Sequence, residues 1–176
     1  MPRLSSSARP AAALALIVLS SVVVGCGLVT RSAPSPQGTG TVVRVVDGDM
    51  LDVRLGRPTE TVRLLGIDTP ETVKPGAPVD CFGPEASART KDLLPEGTLV
   101  RLTRDTEVRD RFDRLLAYVV RARDDLFVNR ALVADGYART LSIAPNDAHR
   151  GELAVAESEA RAAGRGLWAS CPTGGG

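Results

Sequence analysis

The residues of this chain best suited to chemistry concentrate in one short stretch, which reads RLLGIDTPET at positions 63–72. An apolar, strand-like segment carries the guanidinium of Arg63 and runs directly into a polar turn with two carboxylates, Asp68 and Glu71. Pro70 fixes its own φ and disfavours the helical region for the residue before it, so both carboxylates lie on a stiff turn. Such a turn can hold charged groups in a fixed geometry at the rim of a sheet.

The same stretch also has an ordinary structural interpretation. Strands commonly end in turns that an aspartate side chain stabilises, and Arg63 would then be a solvated residue. Loops supply both plain turns and active sites, so this stretch alone does not separate the two interpretations.

Five strands are predicted to position this turn. They share a β-type apolar pattern and span residues 42–46, 51–55, 61–67, 98–104 and 115–121. Asp47 and Gly48 form a strong hairpin signal between the first two strands. The facing of Arg63 on the third strand is ambiguous, because Arg63 has the same parity as the apolar residues Leu65 and Ile67.

Three helices are predicted from end signals and apolar faces, and they span residues 84–94, 127–135 and 147–163. Pro84 suits a first helical position, Pro95 stops that helix, and Gly136 and Gly164 suit the ends of the other two. Five strands with interspersed helices predict an α+β fold that is mainly β, namely a five-stranded OB-fold barrel with three helices.

The first 25 residues indicate a targeting segment rather than part of the fold. Arg3 and Arg9 precede an apolar run at positions 11–24, which has signal-peptide length and is short for a spanning helix. The run ends in VVGC, which resembles the lipobox of bacterial lipoproteins. This resemblance implies that Cys26 is lipidated and becomes the first mature residue, anchored in the membrane and facing outside. An uncleaved signal anchor is the main alternative, and a buried core helix is a weaker one.

Composition then sets the domain bounds. Residues 26–40 are rich in Ser, Pro, Gly and Thr and predict a flexible tether. Residues 41–171 are the predicted domain, and residues 172–176 a disordered tail. The full chain has a formal charge of +1, and loss of Arg3 and Arg9 with the signal peptide leaves one more acidic than basic residue. This balance gives little electrostatic attraction for nucleic acid, so strong non-specific binding is not expected.

Four motifs occur in the order seen in staphylococcal nuclease-like proteins, the thermonucleases. They are DGD at 47–49, RLLGIDTPET at 63–72, GPEAS at 83–87, and an arginine followed by LAY within 114–118. The resemblance covers approximately residues 41–169. It implies an OB-fold barrel with three helices that hydrolyses phosphodiester bonds in DNA and RNA with calcium. A monomer is expected.

The resemblance also implies a calcium site. Asp49 and Asp68 match the family's calcium-binding carboxylates, and Thr69 matches the residue that lends its backbone carbonyl. Calcium takes oxygen ligands and accepts an incomplete protein cage that water and phosphate complete. Without the resemblance, Asp47 and Asp49 would be interpreted as turn residues.

Three further residues match the family's catalytic groups. Arg63 and Arg114 match the arginines that grip the scissile phosphate, and Glu71 matches the proposed general base. Planar guanidiniums suit the charge that develops on phosphate oxygens better than lysines would, and a carboxylate can orient or deprotonate the attacking water. The alternative for Arg114 is a solvated loop of alternating charge, and for Glu71 an exposed turn carboxylate.

Five residues depart from the family pattern: Met50, Phe112, Asp113, Leu141 and Ile143. The first stands where threonine is usual, and the next two replace Tyr-Gly before the second arginine. The last two fall where the best-known member has tyrosines that pack against the nucleotide. None of these changes removes an expected ligand or arginine, so they bear on substrate affinity and base preference.

The remaining cysteines predict a disulfide. If Cys26 carries lipid, Cys81 and Cys171 are an even pair in an exported chain, where disulfides persist. Their link would tie the loop before the first helix to the C-terminus, and two free thiols are the alternative. The only histidine, His149, is expected at the surface, and no histidine-based mechanism is built on it.

Two functional hypotheses follow. The first is an exported, lipid-anchored, calcium-dependent nuclease that acts on DNA, RNA or both. The second is a non-catalytic barrel of the same fold that binds nucleic acid or a protein. A binding-only relative is expected to lose the carboxylate and arginine set, which is complete here.

Overall fold

The computed structural model describes residues 36–72 and 78–171. The predicted signal peptide, Cys26 and the predicted tail at 172–176 lie outside the described residues. Within the two described ranges, no helix combines the length and the apolar character needed to cross a membrane.

Eight strands are present in the described part of the chain. In chain order they are β1 (Pro36–Asp47), β2 (Met50–Arg54), β3 (Thr59–Leu64), β4 (Gly66–Asp68), β5 (Leu99–Thr103), β6 (Leu115–Arg121), β7 (Leu126–Phe127) and β8 (Arg139–Leu141). Five of them, in the order β3-β2-β1-β5-β6, form a sheet that a parallel pairing of β3 with β6 closes. This mixed barrel confirms the predicted five-stranded OB-fold.

The closing pair sets the position of the site. Arg63 on β3 lies opposite Leu116 on β6, and the other neighbours in the barrel pair antiparallel. This register places Arg63 near the start of β6, beside a residue that lies two positions after Arg114. The closing pair therefore brings the two arginines predicted for the site into neighbouring positions.

The third predicted strand is divided in two. β3 ends at Leu64, and β4 begins at Gly66 and pairs with β8 in a separate two-stranded sheet. Gly66 has a φ of 76°, and a Cβ there would lie 2.5 Å from Leu153 Cδ1. Both the backbone conformation and the close approach require glycine, and the chain uses this break to direct Asp68 out of the barrel.

The first strand begins earlier than composition predicts. β1 starts at Pro36, and its first residues pair with β5 from Thr103 to Val100. These residues belong to the segment that its composition assigned to a tether. Strand pairing uses backbone groups, so a run with few apolar side chains can still extend a sheet edge.

The three predicted helices are present, and a fourth helix of four residues follows them. They are α1 (Gly83–Leu93), α2 (Val128–Ala134), α3 (Arg150–Ala162) and α4 (Leu167–Ser170). A single turn such as α4 is too short to produce an apolar repeat, so the sequence pattern could not indicate it.

One hydrophobic cluster joins the barrel to its helices. Its buried members include Val42, Leu51, Val53, Val62, Leu64, Val100, Leu102, Leu115, Ala117 and Val119 from the barrel, and Leu93, Val128, Leu132, Leu153 and Ala156 from the helices. Burying a side chain of valine or leucine size contributes about 1.5–3 kcal/mol. The barrel rim that carries the site is therefore built on a continuous core.

The structure joins Cys81 and Cys171 in a disulfide, as the cysteine pattern predicts. Their Cα atoms lie 5.9 Å apart although the residues are 90 positions apart in sequence. The bond connects the segment before α1 to the segment that follows α4.

Candidate active site

A cleft of about 870 Å³ opens between the end of β3, the turn after β4 and the loop that precedes β6. Four of the predicted site residues line it: Arg63, Asp68, Glu71 and Arg114. Asp49 and Thr69 are buried beside them, with 6% and 3% of their surface exposed. The structure therefore brings all six predicted residues into one region.

Arg63 is held by four acceptors. Its Nη1 donates to the carbonyl oxygens of Leu64 and Ile67 at 2.7 and 2.8 Å. Its Nη2 lies 2.9 Å from Asp49 Oδ2 and 2.9 Å from Asp68 Oδ1. Because the side chain is only 15% exposed, these contacts fix the guanidinium and direct both carboxylates at one point.

Asp49 is the buried carboxylate of this group. Burial raises its pKa above the usual aspartate value, and the charges of Asp68 and Asp47 act in the same direction. The Arg63 guanidinium and the Thr69 N–H, which donates to Asp49 Oδ2 at 3.1 Å, oppose that shift. A buried carboxylate in this position is stabilised by positive charge, which Arg63 supplies here.

The turn DGD needs glycine at its centre because the side chain of Thr69 packs against it. A Cβ at Gly48 would lie 2.6 Å from Thr69 Oγ1, so the side chain of Thr69 fills the space that glycine leaves. This packing and the Thr69 N–H bond hold the Thr69 backbone against Asp49. The turn therefore joins the two halves of the expected ligand set.

The donor set suits a hard cation. Asp49 and Asp68 present carboxylate oxygens to the same nitrogen of Arg63, and Asp68 is 51% exposed toward the cleft. Among residues 36–72 and 78–171, no group of three histidine, cysteine or acidic side chains forms a protein-only metal cage. Two carboxylates and one backbone carbonyl fit calcium, which accepts water and substrate oxygens as its remaining ligands.

Arg114 is held by a loop that its charge pattern did not reveal. Its Nε donates to Asp110 Oδ2 at 2.6 Å, while the backbone N–H groups of Arg114 and Phe112 donate to Asp110 Oδ1 at 3.0 and 2.9 Å. The charged run RDRFDR is thus a loop whose conformation Asp110 holds, although most of its residues are exposed. Its four-residue spacing of Asp110 and Arg114 is the only sequence signal for this pairing.

Asp110 titrates abnormally because of these contacts. Burial raises the pKa of its carboxyl, but the hydrogen bonds from Arg114 and Phe112, with the Arg114 charge, outweigh burial. The net pKa of Asp110 is therefore lower than usual, and the carboxylate stays ionised beside Arg114.

The departures from the family pattern lie around the same cleft. Phe112 is 64% exposed, and the guanidinium carbons of Arg111 and Arg114 lie 4.7 and 5.3 Å from its ring centroid. Asp113 adopts a φ of 63°, a conformation that glycine adopts freely and aspartate tolerates. The loop therefore keeps its turn without glycine.

The other three residues that depart from the family pattern add two aliphatic side chains and one thioether. Leu141 and Ile143 line the cleft and are 39% and 63% exposed. Met50 Sδ lies 3.5 Å from Arg114 Nη1, which is a weak acceptor contact. The cleft thus places an apolar surface beside its arginines.

Glu71 lies next to a cluster of three carboxylates, those of Asp47, Asp49 and Asp68. Burial raises the pKa of the Glu71 carboxyl. The neighbouring charges that raise it further are those of Asp47, Asp49 and Asp68. Arg63 opposes them with a smaller effect, so the net pKa lies above the usual glutamate value and nearer to neutrality.

Two aspartates that were not predicted as site residues hold the backbone around Glu71. Asp47 accepts from the Thr72 hydroxyl at 2.8 Å and from the Thr72 N–H at 3.3 Å. Asp80 accepts from the Glu71 N–H at 3.2 Å, and its own N–H donates to the Glu71 carbonyl at 3.1 Å. Asp47 lies in a motif noted in the sequence, but nothing in the sequence pattern distinguishes Asp80.

His149 lies at the surface but is partly covered by aromatic rings. Its ring centroid lies 4.4 Å from that of Tyr118 and 4.8 Å from that of Phe127, and its side chain is 24% exposed. His149 does not line the cleft.

Comparison with known proteins places this geometry in a family. The family model described as staphylococcal nuclease homologue matches residues 61–170. The thermonuclease of Staphylococcus hyicus is 33% identical over 165 residues, which cover 89% of this chain and 96% of the relative. The thermonuclease of Staphylococcus intermedius is 39% identical over 158 residues, with 89% and 92% coverage. The chain belongs to the staphylococcal nuclease homologues.

The chain is also similar to a relative of which it covers a smaller share. The endonuclease YncB of Bacillus subtilis is 36% identical over 129 residues, which cover 73% of this chain and 60% of the relative. The family match includes Arg63, Asp68, Glu71 and Arg114, whereas Asp49 lies before its first residue.

Proposed function

We propose that this chain hydrolyses phosphodiester bonds in DNA, RNA or both, with calcium bound by the carboxylates of Asp49 and Asp68. The observation that carries the proposal is that Arg63, Glu71 and Arg114 line one cleft beside Asp68. The relatives named thermonuclease and endonuclease support the same activity.

The two arginines are suited to a phosphodiester. A phosphate under attack gains negative charge on its equatorial oxygens, and planar guanidiniums can donate two hydrogen bonds to such oxygens. Arg63 and Arg114 are both held by carboxylates, at 2.9 and 2.6 Å, so their positions are largely fixed before substrate arrives. Fixed donors stabilise a developing charge without reorganising at the moment of reaction.

Glu71 is suited to act as the general base. A base works best when its pKa approaches the working pH, and burial with the neighbouring carboxylates raises the pKa of Glu71 in that direction. Glu71 would accept a proton from the attacking water, while the arginines stabilise the phosphate oxygens.

Asp49, Asp68 and the Thr69 carbonyl would hold calcium. When bound, the ion offsets phosphate charge and orients the phosphate. Arg63 contacts both carboxylates, so its guanidinium lies next to the proposed ligand set.

We also propose that the mature protein is lipid-anchored through Cys26 and faces the outside of the cell membrane. The support is the order of positive residues, apolar run and VVGC in the first 26 positions. Residues 26–35 would connect the anchor to β1, the first strand of the barrel.

A turnover assay tests the proposed activity. Cleavage of single-stranded DNA and of RNA is measured with calcium and with a chelator, and binding is measured separately on a non-hydrolysable analogue. Calcium-dependent cleavage is expected. Binding of the analogue without cleavage under any divalent cation would establish the non-catalytic binding barrel instead.

A further inference from the structure

The segment of residues 80–82, directly before α1, contacts the backbone of Glu71, the proposed general base. The Glu71 N–H donates to Asp80 Oδ2 at 3.2 Å, and the Asp80 N–H donates to the Glu71 carbonyl at 3.1 Å. A Cβ at Gly83 would lie 2.7 Å from that carbonyl, so Gly83 also packs directly on Glu71. Asp80 and Gly83 thus contact the Glu71 main chain and leave its carboxylate free.

Residues 80–82 are themselves attached to a part of the chain that is distant in sequence. Cys81, the residue after Asp80, is bonded to Cys171. The ring of Phe82 lies 5.3 Å from that of Tyr137, measured between centroids. Asp80 is therefore tied to the C-terminal region by its immediate neighbour.

We propose that Asp80 is a positioning residue for Glu71, and that the Cys81–Cys171 disulfide keeps Asp80 in place. This inference rests on the proposed function, because it requires Glu71 to act as the base. A carboxylate that accepts an N–H bond restrains the turn more strongly than a neutral acceptor. Breaking the disulfide would free the segment and let the Glu71 turn move.

The second restraint on this turn limits the expected effect. Asp47 still holds Thr72 through its hydroxyl and N–H when Asp80 is lost. Misplacing a catalytic group by about 1 Å costs up to roughly 100-fold in rate. We therefore expect losses in kcat between about threefold and that limit.

The redox step is ordinary thiol–disulfide exchange. A dithiol reductant attacks one sulfur, forms a mixed disulfide, and then closes to its own cyclic disulfide. Two electrons and two protons pass to the protein, which leaves Cys81 and Cys171 as thiols. Cys81 lies in an exposed part of the surface, so a small dithiol can reach the bond.

Two substitutions at Asp80 test the positioning role. Asp80→Ala removes the side-chain acceptor, whereas Asp80→Asn keeps an oxygen that can accept the Glu71 N–H. Asp80→Ala should lower kcat about 3- to 100-fold with KM unchanged within twofold, and Asp80→Asn should retain most of kcat. Asp92→Ala, at an exposed aspartate on α1, is the matched control and should match wild type.

A double-mutant cycle with Glu71→Gln separates positioning from general loosening. If Asp80 acts through Glu71, adding Asp80→Ala to Glu71→Gln should lower kcat no further. A wild-type kcat for Asp80→Ala, or equal losses in both backgrounds, would overturn the positioning role. Wild-type activity for Glu71→Gln would overturn the proposed function, whatever the Asp80 variants do.

The disulfide arm uses the full chain with and without dithiothreitol, with circular dichroism as the check on folding. Reduced wild type should lose kcat toward the Asp80→Ala level. The Cys81→Ser/Cys171→Ser variant should show the same lower kcat and no response to the reductant, which controls for other effects of the reagent. An unchanged kcat in reduced, folded wild type would refute the role of the disulfide.

Discussion

Arg63 connects the two parts of the candidate site, because its guanidinium contacts both carboxylates expected to bind metal and also lines the cleft proposed to bind phosphate. The side chain of Asp49 is 9% exposed and that of Arg63 is 15% exposed, so this pair is largely shielded from water. Arg114 and its partner Asp110 are more open, at 29% and 18%. The two arginines therefore differ in what they contribute to the fold.

This difference predicts unequal effects on stability. Removing one partner of a buried ion pair costs about 3–5 kcal/mol, because the other charge is left unpaired. Arg63→Ala should therefore lower the free energy of unfolding clearly, and Arg114→Ala much less, while both reduce kcat/KM. Chemical denaturation and steady-state cleavage assays measure the two effects. Equal stability losses would contradict the assigned difference in burial.

Glu71→Gln tests the base directly. The change keeps the size of the side chain and leaves the backbone contacts with Asp80 available, but removes the basic carboxylate. A positioned base contributes about 10²–10⁴-fold, so kcat should fall by that factor while analogue binding stays close to wild type. Glu96→Gln, at an exposed turn glutamate, is the control. Similar activity in both variants would rule out Glu71 as the base.

Asp110 should give the fold a pH dependence. Its pKa is lowered in the folded state, so its contribution to stability is present above the unfolded aspartate pKa of about 3.9 and is lost as pH falls through the folded value. Asp110→Asn should be less stable than wild type at neutral pH, and the gap should narrow in acid. Thermal unfolding across a pH series measures the gap. A gap that is constant with pH would show that ionisation of Asp110 does not stabilise the loop.

At the residue scale, the sequence identifies side chains but not the backbone groups that they reach. The motif RLLGIDTPET and the arginine before LAY contain the four predicted site residues that line the cleft. Charged residues around a proline-stiffened turn are visible as a local pattern. Asp80 and Asp110 act by accepting backbone N–H groups, and such bonds depend on loop conformation. No spacing in the sequence indicates the backbone bonds to Asp80, and the four-residue spacing of Asp110 and Arg114 indicates only their side-chain pairing.

Among the elements, α2 packs on the barrel through its apolar residues and also forms hydrogen bonds with it through one buried side chain, Asn129. Asn129 Oδ1 accepts from the Val119 N–H on β6 at 2.9 Å, and its Nδ2 donates to the Leu65 carbonyl at 2.8 Å. Leu65 is the residue between β3 and β4. Asn129 therefore satisfies the backbone where the third strand breaks.

Asn129→Ala should destabilise the protein strongly. It leaves a buried N–H and a buried carbonyl without partners, and each unmet group costs about 1–3 kcal/mol. We expect a loss of about 2–5 kcal/mol in the free energy of unfolding, measured by urea denaturation. Arg130→Ala on the same helix is the control, since its ion pair with Glu152 is exposed and should contribute about 1 kcal/mol or less. Equal losses for both variants would refute this role of Asn129.

Element prediction succeeded where the apolar pattern is long enough to repeat. The barrel strands and the three longer helices each have an apolar face, and the alternation or helical spacing of these faces indicates them. β4 and β8 have three residues each, and α4 has four, so no period can be read from them. The break at Gly66 also depends on Leu153, which is distant in sequence.

At the scale of the whole chain, the disulfide joins Cys81 to Cys171, and the proposed anchor is Cys26, near the start of the sequence. The bond closes a loop of 90 residues, and the chain-entropy estimate for a loop of this size is about 4.6 kcal/mol. Cysteine count and export together predicted this pair, because only two cysteines remain after Cys26. The contact between residues 80–82 and Glu71 could be identified only from the folded structure.

Cys26 is the residue on which the proposed location depends, since lipidation needs its thiol. Cys26→Ser should release the barrel into the medium or leave an unprocessed precursor, and cleavage activity per folded molecule should stay unchanged, because the site residues are at position 49 and beyond. Gly27→Ala, which leaves the cysteine intact, is the matched control and should remain with the membrane. Detergent partitioning and mass spectrometry of the exported protein measure the outcome. A wild-type protein that partitions into the aqueous phase and carries no lipid would exclude the anchor and leave the proposed nuclease activity standing, because the barrel and its cleft do not depend on the lipid.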